Sequence, residues 1–328
     1  MIAATLCLPG AARSSPQPAF PPSAAWVQIS TDELREGYDT LWAVSDVHGR
    51  LEQFERLLVG SGLAVYGAST LTWNPSRGRQ LLIVAGDLID GGTDSVGTAL
   101  LLEDLQRGAA AAGSRLVVLL GNHEVEFLAR PGSAGGALLA SARRPAARLD
   151  PAEEMNGEQL YASAFGRYLR TLPVAAFVGT WLFAHAGYVD AEGGAAGTRA
   201  YFARIAEAAA RGECGPLLER TSILAYHDWW KSGRNRSRMR KRLRRLGLNG
   251  LVIGHDPDAL GSKGAIAIDR QGWLMKLDTG MKTGTAGMLL RCEVSEIARG
   301  GELTMAERGA AKCRAMAPDG SLHELARE

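Results

Sequence analysis

Five short apolar runs along this chain end alike, each delivering one or two polar side chains at its C-terminal end. They are Leu41–Gly49 (LWAVSDVHG), Leu81–Asp90 (LLIVAGDLID), Leu116–Glu124 (LVVLLGNHE), Trp181–Gly187 (WLFAHAG) and Leu251–His255 (LVIGH). Runs that stay apolar without in-out alternation predict buried parallel strands, covered on both faces. Between the first two, Leu51, Phe54, Leu57 and Leu58 fall on one helical face, and Gly60 and Gly62 stop the helix. Thr93–Ala112 predicts a second helix with Asp94-Ser95 as its cap. Strand, helix, strand in succession predicts right-handed crossovers. Further helices are expected at Glu158–Leu172, closed by Pro173, and at Thr198–Arg211. Gly261–Met288 reads as hairpins.

The segment Arg234–Arg245 holds eight basic residues in twelve, while Met239, Leu243 and Leu246 keep helical spacing. That pattern favours a helix with a solvated basic face over an anion funnel or a nucleic-acid contact. A formal net charge of +2 adds no global attraction for nucleic acid or membrane, and no run approaches the length of a membrane span. With 328 residues and 46% apolar content, the chain is read as one large α/β domain over residues 31–300. Residues 1–30 fit either a disordered tail or the remnant of a secretory signal, leaving the compartment cytoplasmic in the first case and periplasmic or secreted in the second. A Gly/Ala/Arg-rich stretch at about 129–160 is expected to be a mobile, cap-like insertion that selects substrate, with Arg143, Arg144 and Arg148 solvated. Residues 301–328 are expected to form a peripheral tail or helix. The four cysteines show no CxxC pair and no regular spacing, so neither a disulfide framework nor a zinc ribbon is expected.

The strand ends carry the chemistry. They present Asp46, His48, Asp87, Asn122, His123, His185 and His255, and four of the six histidines in the chain sit there. Taken singly, each has an ordinary explanation: a core histidine, a turn aspartate, or a helix cap in the case of Asn122 or Asp90. Together they would bury seven polar groups at apolar strand ends, at several kcal/mol apiece unless a metal or partner satisfies them. Oxygen and imidazole ligands converging on one sheet edge suit borderline divalent metals.

The ordered series DVH, GDLID, GNHE, HAG and GH resembles the calcineurin-like metallophosphoesterases, specifically the bacterial branch near the phosphoprotein phosphatases. The resemblance runs from Trp42 to Met281 and includes the phrases Ser222–Trp230 (SILAYHDWW) and Leu277–Met281 (LDTGM). It implies a two-sheet α/β sandwich flanked by helices, with a dinuclear metal site at the strand C-terminal ends. It further implies that Asp46, His48 and Asp87 hold one ion, while Asp87, Asn122, His185 and His255 hold the other. Asp87 would bridge two ions about 3.5–4 Å apart. Manganese, iron or zinc would be the metals, with a metal-bridging hydroxide as nucleophile. His123 would be the general acid, oriented by Asp90. The implied activity is hydrolysis of phosphomonoesters, either small molecules or phosphoproteins. Phosphodiesterase, phosphotriesterase or dinucleoside-polyphosphate hydrolase activity is the alternative, and a metal-dependent binding module is the non-enzymatic one.

Two positions depart from the pattern. Phosphoprotein phosphatases have a phosphate-gripping arginine directly after the second aspartate of GDxxD, where this chain has Gly91; close bacterial relatives have arginine where it has His227. The departures predict a pocket opened to less charged substrates, with Gly91, His227 and Arg50 as candidate substrate contacts. Arg50, Lys231 or the basic helix would supply a substitute cation. Asp278-Thr279-Gly280 is read as a turn.

Overall fold

The computed structural model describes residues 25–68, 70–149, 155–190, 194–226, 228–299, 302–307 and 310–328. The five apolar runs form strands β1 (Thr40–Val44), β2 (Gln80–Ala85), β3 (Arg115–Leu119), β4 (Trp181–Ala184) and β5 (Gly250–Ile253). They belong to two sheets. β1, β2 and β3 are parallel neighbours in a six-stranded sheet, and β4 and β5 are parallel neighbours in a seven-stranded one.

Period-two geometry explains why these strands are apolar throughout. Leu41, Ala43, Leu81, Ile83, Val117 and Leu119 from the first sheet meet Trp181, Phe183 and Val252 from the second in one core between the sheets. The alternate residues Trp42, Val44, Leu82, Val84, Leu182 and Ile253 turn outward and cluster with helix residues such as Phe54, Leu57, Leu102 and Met239. Each strand is thus covered on both faces, and each such side chain contributes about 1.5–3 kcal/mol as an upper bound. Helix Leu51–Gly60 buries Phe54, Leu57 and Leu58 as its spacing predicts. Helix Gly233–Arg245 buries Met239 and Leu243, leaving most of its arginines outside.

Three expectations are corrected. Trp26–Ile29, expected within a tail, pairs in parallel with Ala175–Val178; residues 1–24 lie outside the described residues. The C-terminal stretch is part of both sheets. Arg314–Met316 pairs with Leu289–Arg291, Leu322–His323 extends that edge, and Ala326–Arg327 pairs with Ala267–Ile268. Strands of two or three residues leave almost no periodic signal, yet they cover sheet edges that would otherwise expose unpaired backbone. Finally, Cys292 and Cys313 form a disulfide, both fully buried between the sheets. The antiparallel register that pairs Leu290 with Ala315 and Arg291 with Arg314 brings the two cysteines opposite each other across 21 residues of sequence, a proximity no local spacing announces.

The insertion, where described, is pinned rather than loose. Arg144 Nε donates to Asp94 at 2.6 Å, Arg148 pairs with Asp104 and donates to the Leu100 carbonyl, and Leu138, Ala142 and Ala147 are buried. These arginines, expected to be solvated, tie the insertion to helix Ser95–Ala111.

Candidate metal centre

The ends of β1, β2 and β3 and those of β4 and β5 meet at one rim. Seven described non-glycine residues have left-handed backbones, and five of them sit here: Asp46, His48, Asp87, Asp90 and His255. Such φ values cost roughly 1 kcal/mol or more each and persist only where surrounding structure enforces them. Gly121 shows how tight the rim is, since a Cβ there would lie 2.1 Å from Asp87 Oδ1 and 2.3 Å from its backbone nitrogen.

Asp87 is the centre of the cluster. Its Oδ2 lies 3.2 Å from His185 Nε2, 3.5 Å from His48 Nε2 and 3.8 Å from His123 Nε2. His185 Nε2 also lies 3.1 Å from Asn122 Oδ1 and 2.9 Å from His255 Nδ1. Asp46 accepts the His255 backbone N–H at 2.9 Å and lies 3.8 Å from His48. The far nitrogens are committed elsewhere: His48 Nδ1 to the carbonyls of Ile89 and Asp90, at 3.0 and 2.9 Å, and His185 Nδ1 to that of Ala85, at 3.0 Å. Donating there leaves each Nε2 as a lone pair facing Asp87. Asn122 Nδ2 donates to Glu126 at 3.3 Å, turning its oxygen to the same point. Lone pairs from one carboxylate, one amide and several imidazoles, gathered at 3–4 Å and nearly all buried, need a cation between them.

The electrostatics agree. Burial disfavours the His185 imidazolium, but Asp87 and Asp46 outweigh it and push the ring up to about 10. Burial pushes His48 down to about 4. Asp46 is raised well above the carboxylate range by burial and by Asp278. Burial opposes ionisation of Asp87, yet the facing His185, together with His48 and His123, holds its carboxyl below that range.

A family model described as calcineurin-like phosphoesterase matches residues 40–259, which include every one of these ligand candidates. The chain belongs to the calcineurin-like phosphoesterases. Shewanella-like protein phosphatase 2 of Arabidopsis thaliana is 31% identical over 87 residues, 26% of this chain and 21% of that protein, so the match spans about a fifth of the plant relative. The fold is shared with a cold-active protein-tyrosine phosphatase of a psychrophilic Shewanella species at TM-score 0.64 and 17% identity, over 94% of this chain and 83% of that one. It is also shared with a protein serine/threonine phosphatase from Saccharomyces cerevisiae at TM-score 0.52 and 15% identity, over 82% and 76% of the two chains.

The phosphoesterase brings His123 and Asp90 together as its motifs imply: His123 Nδ1 lies 2.9 Å from Asp90 Oδ2. Other candidates fall elsewhere. Arg50 is not among the residues lining the metal-side cavity, but its Nη2 donates at 2.7 Å to the carbonyl of Lys282, which is. Lys231 pairs with Asp228 at 2.9 Å. The basic helix lines a separate groove of about 280 Å³ with Trp273 and Glu328, sharing no residue with the metal-side cavity, so it is not a funnel into that cavity. His227 lies outside the described residues. Gly91 opens no space: a Cβ there would sit 3.1 Å from His48 Cβ and 3.1 Å from Lys282 Cγ. Asp278 accepts the Gly280 N–H at 2.8 Å, closing the turn its sequence suggests.

Two residues escaped the sequence reading. Glu124, fully buried, accepts the backbone N–H groups of Gly121, Asp87, Leu88 and Ile89 at 2.7–3.1 Å. Burial and Asp87 push it up to about 7, against four N–H groups that favour its ionised form. It fixes the loop that presents Asp87, and the capping-box position three residues after Gly121 was the available signal. Lys282, one residue beyond LDTGM, carried no signal; its Nζ lies 3.1 Å from His123 Nε2.

Proposed function

We propose that this phosphoesterase is a dinuclear phosphomonoesterase in which Asp46, His48 and Asp87 hold one ion and Asp87, Asn122, His185 and His255 the other. The donor set supports manganese, iron or zinc, since imidazole, carboxylate and amide oxygen suit all three. When bound, the ions supply Lewis acidity toward phosphoryl oxygens and a nucleophilic water at neutral pH. The chain supplies the rest. His123 presents Nε2 to the leaving oxygen and delivers a proton there, while Asp90 holds Nδ1 and thereby the ring's orientation. Asn122 and the two buried imidazoles exclude bulk water behind the reacting group, which strengthens every charge contact inside. The names of the plant, Shewanella and yeast relatives support phosphoproteins among the substrates, beside small aryl or alkyl phosphates.

One observation carries the reading: a single buried carboxylate, Asp87, faces imidazoles contributed by both sheets. The test is metal stoichiometry with initial rates on matched aryl phosphate monoester and diester, using His123→Ala as control. Two ions per chain and monoester turnover that collapses in the variant are expected. Diester rates equal to or above monoester rates would overturn the monoesterase assignment.

A further inference from the structure

Resting on the phosphomonoesterase reading, we propose that Lys282 is the cation that grips the substrate's phosphoryl group, and that it sets a preference for dianionic monoesters over monoanionic diesters. The cavity in front of the ligand cluster measures about 260 Å³, with His48, Asp87, Asn122 and His255 on its metal side and Lys282 and Thr283 lining it as well. Among the described lining residues, Lys282 is the one lysine or arginine. Its ammonium touches His123 Nε2 at 3.1 Å, and no carboxylate among the described residues pairs with it. One of three N–H donors is so engaged, leaving two for an anion.

The lysine stands on a pinned turn. Met281 beside it is buried, Thr283 Oγ1 donates to the Gly280 carbonyl at 2.9 Å, Thr285 Oγ1 to that of Thr279 at 2.9 Å, and Arg50 to that of Lys282 itself at 2.7 Å. Contacts within the turn and one from Arg50 thus fix the backbone from which the lysine rises. The same geometry bears on Gly91, because a Cβ at that position would crowd the Lys282 stem at 3.1 Å. Of the other cations, Lys231 pairs with Asp228, Arg144 pairs with Asp94 and Arg50 donates to the Lys282 carbonyl, while Arg130 lines, with His123 and Asp90, an adjoining pocket but not the metal-side cavity. In the substrate-free protein the ammonium covers the nitrogen that must face the leaving oxygen. An incoming phosphoryl group draws it onto a non-bridging oxygen, and the Nε2 so uncovered takes up from solvent the proton it delivers to the leaving oxygen. An ammonium is a point charge, so its attraction scales with the anion's charge and demands no planar fork, which favours a dianion over a monoanion.

The test uses the metal-loaded full chain and the Lys282→Met, Lys282→Gln and Lys282→Arg variants. It reads kcat/KM for matched aryl phosphate monoester and diester, the dissociation constant of inorganic phosphate by calorimetry, and metal content by elemental analysis. Losing a charge-assisted contact should weaken phosphate binding and monoester kcat/KM about 10- to 100-fold in Met and Gln, with Arg recovering most of it. Diester kcat/KM should move less than about threefold, and the metal content should not change. Equal losses on both esters, unchanged phosphate affinity, or losses that track missing metal would overturn the assignment. If the loaded wild-type protein turns over neither ester, the phosphomonoesterase reading fails by itself, and the phosphate dissociation constants still decide the role of Lys282.

Discussion

Two regions of this molecule concentrate ionisable side chains, and they differ in almost every physical respect. Helix Gly233–Arg245 has a regular backbone, buries only Met239 and Leu243, and leaves Arg234, Arg238, Lys241, Arg244 and Arg245 in water. The rim at the ends of β1–β5 buries Asp46, His48, Asp87 and His185 almost completely and holds five non-glycine residues at left-handed φ. The helix has the greater charge, but exposed charges are screened and cheap. The rim combines desolvation, facing lone pairs and backbone strain, each costly without a ligand to offset it. Density of charge therefore says less about chemistry than the conditions under which a charge is held.

The sharpest break of this contrast comes from the rim itself. Chelation of the metals, or Asp87→Ala, should lower monoester turnover at least about a thousandfold, since several kcal/mol of charge stabilisation are removed. Steady-state rates with and without added metal check this, and a residual rate within tenfold would remove the rim from the chemistry. His123→Ala should cost about 10²–10⁴ in kcat with metal content intact, and Asp90→Asn about tenfold, through ring orientation. Opening the Cys292–Cys313 bridge with Cys313→Ser should lower stability by about 2–4 kcal/mol while leaving kcat nearly unchanged, because the bridge lies between the sheets. Denaturant unfolding beside activity reads both quantities. Glu124→Gln should cost about 1–3 kcal/mol and also weaken metal binding, since it unpairs backbone donors of the Asp87 loop; a purely stabilising role would leave metal affinity alone. The smallest effect belongs to the helix: Arg238→Gln, Lys241→Gln and Arg244→Gln together should change kcat/KM on a small aryl phosphate by less than about twofold.

Much of this arrangement was legible along the chain, for an identifiable reason. A parallel strand buried on both faces reads as an apolar run, and a ligand at its end is adjacent in sequence to that run, so Asp46, His48, Asp87, Asn122, His123, His185 and His255 announce themselves locally. The amphipathic helices were legible in the same way, through Phe54 with Leu57 and Met239 with Leu243.

What stayed hidden involves partners distant in sequence. Cys292 meets Cys313 through strand register, the short C-terminal strands exist because sheet edges need covering, and Arg144 finds Asp94 across 50 residues. Lys282 is the clearest instance. By itself the sequence determined which side chains end the five strands, because periodicity and strand termini are local properties of the chain. Only the tertiary structure decided which of those strands go to which sheet, and that the lysine beside their ends rises from a turn 191 residues beyond Gly91. The two positions compete for the same space, since a Cβ at position 91 would sit 3.1 Å from the Lys282 stem.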